Sequence, residues 1–514
     1  MRLLIRADGG ARVGGGHVMR CLALAEAAAA RGWAVRVVMA DTAPDLAGRV
    51  VAAGHDLVRL APAPAGPDPE GPAHAAWCAL PWAQDAAATA RAAEGWRADW
   101  LIWDHYGLDA RWVAAVRQGA PAGMRVMAVD DLDDRALGSD LVLDQTRLAP
   151  GPRSHPALAT LRGPRFALLR GEFAALRAEA LARRGGPVRR VLVVPGLMDA
   201  AGLAPRALAA LERLPGLAAE VAMGAASQSA AAVAAMVAGR TDRRLVLDAP
   251  DMAARMAAAD LCIGAGGVTA WERCCLGLPS LIVPVAENQR ASAEALAAAG
   301  AARVLALEAT ADPAGFAGAI AAAIGAAPAM AARAAALCDG EGTQRVLDAL
   351  SGRLRPVTAQ DAAQLFAWRD APRVRAASLD AGPLDPARHA AWVARAAAGE
   401  GGMWCVYAEA GRALGHVNAV AGADGWWRWS FYIGAEEAPA GAGGRMLATF
   451  LPRLFARPDV RGVTAEVLPH NAASLALHRH LGFRETGRAG AALAFALSRC
   501  DIRARFGLGL PAGG

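Results

Sequence analysis

The opening stretch, MRLLIRADGGARVGGGHVMRC, restricts the fold more than any later segment. An apolar run, Leu3-Leu4-Ile5, stops at Arg6. A glycine-rich turn follows, ending in Gly14-Gly15-Gly16 and then His17. Val18, Met19, Cys21, Leu22, Leu24 and Ala25 recur at helical spacing. The order is strand, open turn, helix, with a histidine in the first helical turn. Glycine lets the backbone pass close to a ligand. A helix amino end offers free N–H groups and partial positive charge, which suits phosphate. The same field disfavours imidazolium, so His17 is expected to be neutral and basic near neutral pH. That is what a general base acting on water requires. A glycine-rich turn carrying a surface histidine accounts for the same residues, and both readings stand at this point.

The pattern repeats downstream. Ala34–Met39, Trp100–Asp104, Arg125–Asp131 and Leu141–Asp144 read as strands, and Ala61–Pro72 as a loop. Strands alternating with helical stretches predict a parallel α/β sheet. Asp104, Asp130 and Asp131 fall at strand carboxyl ends, where side chains reach a ligand crevice. N-caps of the following helices are the alternative. After the connector Arg183–Arg190 a second series begins: Val191–Val194, Leu245–Leu247, Leu261–Gly264, Ser280–Val283 and Ala302–Leu305. Residues 1–182 and 183–350 are thus expected to form two Rossmann-like domains with a ligand cleft between them.

The second series holds a further strand–turn–helix unit, Gly264–Pro279, with Gly266-Gly267, Thr269 and Glu272 at the turn. Backbone N–H groups and the Thr269 hydroxyl suit a pyrophosphate, and Glu272 suits both hydroxyls of a ribose. A capping box between Thr269 and Glu272 has the same spacing. Glu287, Asn288 and Gln289 follow a strand end beside the same cleft.

Bulk properties exclude several classes. A chain of 514 residues admits about two to four domains. Net charge is a mild +6 with no basic run, so nucleic acid is not an expected partner, while anionic small molecules are. Arg6 and Asp8 interrupt any leader-like apolar core. Pro313–Ala332 is alanine-rich with Gly325 and Pro328 inside, and is expected to be a packed helix with no membrane partner. The 8 cysteines are scattered without a CxxC, so neither a metal site nor a disulfide frame is expected, and a cytoplasmic location is.

Residues 1 to about 345 resemble the nucleotide-sugar hydrolases of pseudaminic acid biosynthesis, which are GT-B-like. The matching pieces are Arg6-Ala7-Asp8, Gly15–Cys21, Asp130-Asp131-Leu132, Leu168–Phe173, the run 264–279 and Ala286–Gln289. The resemblance implies release of UDP from UDP-2,4-diacetamido-2,4,6-trideoxy-β-L-altropyranose by water, without a metal. It makes His17 the base. It puts Arg6, Asp8, Gly15, Gly16, Arg170, Gly266, Gly267, Thr269, Glu272, Asn288 and Gln289 on the substrate. The chain departs from the family at Pro195–Asp199, where a Gly-Gly-Ser-Asp turn is usual, and at Asp144-Gln145-Thr146.

A new unit starts near Leu354. Thr358 and Asp361 make a capping pattern, and Trp404–Ala408, Ala413–Val420, Trp427–Ile433 and Val463–Val467 read as strands. Gly441-Ala442-Gly443-Gly444-Arg445 opens one helix and Asn471-Ala472-Ala473-Ser474 another, which ends before Leu481-Gly482-Phe483. Residues 354–500 resemble GNAT-type N-acetyltransferases, an α+β fold. The resemblance implies acetyl-CoA as co-substrate, held by Gly441, Gly443, Gly444, Arg445, Asn471 and Ser474. Ala438 stands where the family usually has Arg or Gln. His478 stands where many members have a tyrosine that protonates the departing thiolate, and a packed histidine is the alternative. Trp368-Arg369 and His389 with Trp392 resemble the acceptor side of the pathway's amino-sugar acetyltransferases, and helix packing accounts for them equally. The expected chain is a GT-B-like pair of Rossmann-like domains followed by a GNAT domain. The expected partners are UDP-linked amino sugars and acetyl-CoA. A GT-B glycosyltransferase fused to an unrelated acetyltransferase is the alternative.

Overall fold

The computed structural model describes the chain except residues 11–12, 41–43, 64–67, 149–152, 156, 410 and 507–514, and the side chains of 44 and 45. Part of the expected 61–72 loop therefore lies outside the described residues.

Three sheets form in series. The first has seven parallel strands in the order Asp56–Leu60, Ala34–Ala40, Arg2–Ala7, Trp100–Asp104, Arg125–Val129, Leu141–Asp144, Ala159–Arg162. The second has six, in the order Arg243–Leu247, Ala218–Met223, Arg190–Val194, Leu261–Gly264, Ser280–Ile282, Arg303–Val304. In both, the order reverses beside the first strand of the unit, which opens a crevice at the strand carboxyl ends. The third sheet is antiparallel apart from the pairing of Trp426–Ile433 with Gly462–Val467. The capping box at Thr358 and Asp361 forms as expected.

Sequence periodicity misses Asp56–Leu60, Ala159–Arg162 and Ala218–Met223, and the hairpin Arg484–Ala489 with Ala492–Ser498. Arg484–Ala489 is an exposed edge strand along its whole length, so it carries no inward apolar pattern to read.

Two helices pack across the boundaries expected at 182 and 350. Helix Gly171–Ala182 precedes the expected boundary, yet Phe173 and Ala180 share a core with Trp271, Cys275 and Met256 of the second domain. Helix Gly342–Leu350 follows the second domain and packs back on the first: Val346, Leu347 and Leu350 join the core of Leu3, Ile5 and Leu24. Buried area decides domain membership here, and the chain crosses between the two halves twice. Helix Pro313–Leu337 is the one helix among the described residues long and apolar enough to cross a membrane. In this fold it buries Phe316, Ile320 and Met330 against Val193, Ile263 and Leu203 of the second domain.

The third domain shares the first domain's core, since Tyr407, Leu447 and Leu451 belong to the same apolar cluster as Leu350 and Trp100. Leu350→Ala is therefore expected to cost about 2–5 kcal/mol, a clear drop in the guanidinium midpoint. An unchanged midpoint would argue against a shared core.

Candidate functional site

The amino end of helix Gly16–Ala30 lies on the seam between the first two domains. A Cβ built on Gly15 would lie 2.6 Å from Leu197 Cδ1, and one on Gly16 3.5 Å from Val268 Cγ2. The two glycine turns thus face each other.

His17 is buried, and its Nδ1 lies 2.5 Å from Asp104 Oδ1. Asp104 closes its strand and has no exposed surface. Burial raises its pKa, but Arg20 and then His17 more than offset this and hold it well below the usual range. Asp104 is therefore a carboxylate, and Nδ1–H of His17 donates to it. Nε2 then carries the lone pair and has no hydrogen-bond partner among the described residues. Arg20 Nε donates to Asp104 Oδ2 at 2.5 Å, and its Nη1 pairs with Asp131. Tyr106 Oη donates to Asp131 Oδ2 at 3.1 Å, while Oδ1 of Asp131 has no partner among the described residues. Asp104 does not cap the next helix, because Asp109 does so, and the α-helix that follows Asp131, Gly171–Ala182, starts at Arg170.

An aromatic wall that sequence reasoning missed stands beside His17. Tyr106 meets it edge-on at 4.6 Å, and His74 and Trp77 pack around Tyr106 at 5.7 and 5.9 Å. Nδ1 of His74 has no partner among the described residues. His74 and Trp77 belong to an irregular segment ahead of helix Trp82–Trp96, where periodicity is silent.

In the second domain the expected capping box is absent, since helix Thr269–Cys275 has no side-chain cap. Glu272 instead faces Arg170, 3.9 Å away, and burial pushes its carboxyl up to about 7. Arg273 Nη2 donates to Ala265 O at 2.8 Å and braces the turn from behind. Asn288 is exposed beside it.

Several expected contacts are corrected by the geometry. Arg6 and Asp8 are buried and pair with each other, Arg6 also with Asp85, which receives Trp112 Nε1 at 2.9 Å. Their side chains are thus tied to one another and to Asp85 in this structure. Gln289 Oε1 accepts from Gly266 N and Val285 N, both at 3.1 Å, so it shapes the turn. At Pro195–Asp199, Asp199 accepts from Leu203 N and Ala204 N and thereby fixes the start of the next helix.

In the third domain Gly441 adopts a left-handed conformation, φ 80°, and opens helix Ala442–Phe455 without a side-chain cap. Its amino end is free for an anion, which fits the pyrophosphate of coenzyme A. Arg445 turns away: Nε donates to Glu409 Oε1 at 2.6 Å and Nη1 to Ala440 O at 3.0 Å, so its side chain clasps the turn from inside. Asn471 caps its own helix through Ser474 N and donates to Ala377 O. His478 is corrected too. Nε2 accepts from Trp429 Nε1 at 3.2 Å and Nδ1 donates to Ser474 O at 2.8 Å. Both nitrogens are engaged within an aromatic core, the alternative of a packed histidine. His389 is buried between Phe366 and Trp392, and Nε2 has no partner among the described residues. His416 Nε2, Tyr432 Oη and Trp404 Nε1, in the same cluster, also have no partner among the described residues. Sequence reading missed these three, although strand pairing sets them on one face.

Comparison with known proteins agrees with this division. Residues 353–484 match the acetyltransferase (GNAT) domain model, and residues 244–337 the glycosyltransferase family 28 C-terminal domain. The spore coat polysaccharide biosynthesis protein SpsG of Bacillus subtilis is 32% identical over 148 residues, 28% of this chain and 43% of that protein. The UDP-N-acetylglucosamine–N-acetylmuramyl-(pentapeptide) pyrophosphoryl-undecaprenol N-acetylglucosamine transferase of Chromobacterium violaceum is 38% identical over 158 residues, 27% of this chain and 43% of that protein. The chain thus spans 43% of the length of each of these relatives. The crystal structure of Acinetobacter baumannii MurG overlays 68% of this chain and 99% of its own, with TM-score 0.50 and 17% identity. A pair of domains with a glycosyltransferase-like fold thus precedes a domain that matches the GNAT model.

A ribose diol bound at Glu272 would be held chiefly by the carboxylate form. With its pKa near 7, UDP affinity is expected to fall about ten-fold from about pH 8 to about pH 6. Calorimetric titration checks this, and Glu272→Gln should bind more weakly with a flat profile over the same range. A wild-type profile that is also flat would remove Glu272 from the nucleotide site.

Proposed function

We propose that the chain is a two-step enzyme acting on a UDP-linked amino sugar. The third domain transfers acetyl from acetyl-CoA to the C4 amine of UDP-4-amino-4,6-dideoxy-N-acetyl-β-L-altrosamine. The first two domains release UDP from the product, UDP-2,4-diacetamido-2,4,6-trideoxy-β-L-altropyranose. The observation that carries the hydrolytic reading is the His17–Asp104 pair, because it fixes the tautomer that leaves Nε2 basic at the seam between the two glycine turns.

In the first reaction the amine nitrogen bonds to the thioester carbon, the carbon–sulfur bond breaks, and the proton that the nitrogen gives up ends on the thiolate of coenzyme A. In the second, Nε2 of His17 accepts a proton from water as its oxygen bonds to the anomeric carbon. The bond from that carbon to the β-phosphate oxygen breaks, and the charge settles on UDP. The amino end of helix Gly16–Ala30 favours that charge. Asp104 steadies the imidazolium. Arg170, Glu272, Thr269 and the turn at 266–267 hold the nucleotide, with Asn288 beside the sugar. The wall of His74, Trp77 and Tyr106 gives the sugar an apolar face, and Asp131 Oδ1 a hydrogen-bond acceptor.

The family 28 match and the MurG-like fold favour a second reading, transfer of the sugar to an acceptor. One assay separates them. Supplied with the UDP-diacetamido sugar and water alone, the chain should release UDP, whereas release only with an acceptor sugar would overturn the hydrolase. His17→Asn should lower release by about 10²–10⁴-fold. Acetyl transfer should stay intact in that variant, since His17 lies outside the third domain. Loss of both activities together would argue against two sites.

A further inference from the structure

We infer that the two reaction centres work on opposite sides of the first domain, so that the acetylated nucleotide sugar passes from one to the other through bulk solvent. The inference rests on the two-step reading above and goes beyond it, because a fused pair of consecutive enzymes invites the opposite expectation.

The third domain docks on the amino ends of the first sheet's strands. Trp100 and Arg125 each open a strand. Trp100 Nε1 donates to Leu350 O at 2.9 Å, and Arg125 donates to Leu350 O at 3.2 Å and to Thr449 Oγ1 at 3.3 Å. His480 Nε2 donates to Ala157 O, just ahead of strand Ala159–Arg162, at 2.7 Å. Leu141 and Ala159, also first residues of strands, line the same seam opposite Tyr407 and Ala448. The helix that begins at the coenzyme A turn, Ala442–Phe455, contributes Ala448 and Thr449 to this seam.

His17 and Asp104 lie at the other edge. Asp104 ends the strand that Trp100 begins, so the length of that strand, roughly 13 Å at 3.3 Å per residue, separates it from the seam. Helix Gly16–Ala30 repeats the measurement. His17 occupies its amino end, and Arg31, just past its carboxyl end, donates to Gln344 and Asp348 of the helix leading into the third domain. Those 15 residues span about 22 Å. The first sheet thus stands between His17 and the seam on which the third domain docks.

The third domain is also not a tethered body free to swing around that sheet. Tyr407 is fully buried, the Arg125 guanidinium stacks 4.2 Å over the Trp100 ring, and the apolar core runs unbroken across the seam. A seam of this kind resists the relative motion that small polar domain contacts permit.

The test is isotope dilution with the full chain. Labelled acetyl-CoA and the UDP-4-amino sugar are supplied together with excess unlabelled UDP-diacetamido sugar. Free passage through solvent predicts that label in the released sugar falls in proportion to the unlabelled pool, and that UDP release begins after a lag. Undiluted label without a lag would overturn the inference. If the chain releases no UDP from the diacetamido compound supplied alone, the two-step reading fails. A crystal structure with UDP and coenzyme A then judges the placement by itself. Ligands on opposite edges of the first sheet without a joining channel uphold the separation, and a continuous channel between them refutes it.

Discussion

The carboxylate of Asp104 is the group on which the first domain turns. It is wholly buried, and a buried charge is tolerated only when paired and hydrogen-bonded. Arg20 and His17 supply the pairing, and both come from one helix, three residues apart. The ion cluster therefore fixes the rotation of that helix against the strand ending at Asp104. The glycine turn before the helix is then held against the second domain. Arg20 extends the cluster to Asp131, and Asp131 to Tyr106. One electrostatic requirement thus sets the tautomer of His17 and the position of the aromatic wall beside it.

The second domain shapes its turn through side-chain contacts to the backbone. Gln289 receives two backbone N–H groups, one from the turn and one from the strand end ahead of it. Arg273 braces the turn through a carbonyl. A turn held in this way needs little reorganisation when charge develops on a diphosphate, the condition under which fixed dipoles contribute most.

Much of this was legible in the sequence, and what was not has physical causes. The alternation of strand and helix gave the two parallel sheets, and the glycine turn before an amphipathic helix singled out His17. Asp104 was legible as a strand-end carboxylate, but its partner was not, because their separation of 87 residues is closed only by the sheet. Arg6 and Gln289 look like ligand-binding side chains in the sequence, because polarity does not reveal direction. Burial turns the first toward Asp8 and Asp85 and the second toward the backbone. His478 misleads similarly: its position suggests an acid, while Trp429, Phe431 and Phe483 around it make it a core residue. Helix Gly342–Leu350 shows no change of composition that assigns it to the first domain. Only the apolar face it buries there does so.

The place of the third domain follows from the same topology. A parallel sheet puts its ligand crevice at the carboxyl ends of its strands, so that edge must stay open. The faces of the sheet are already covered by helices, as parallel sheets require. The amino edge is what remains, and there Trp100, Arg125 and Leu141 offer apolar surface and unspent donors without touching His17. Helix Gly342–Leu350 delivers the chain to that edge, and its last carbonyl, Leu350 O, accepts from both Trp100 and Arg125. An added domain can share the core at that edge and bury the surface that stabilises it. At the crevice it would have to leave that surface exposed or block the site.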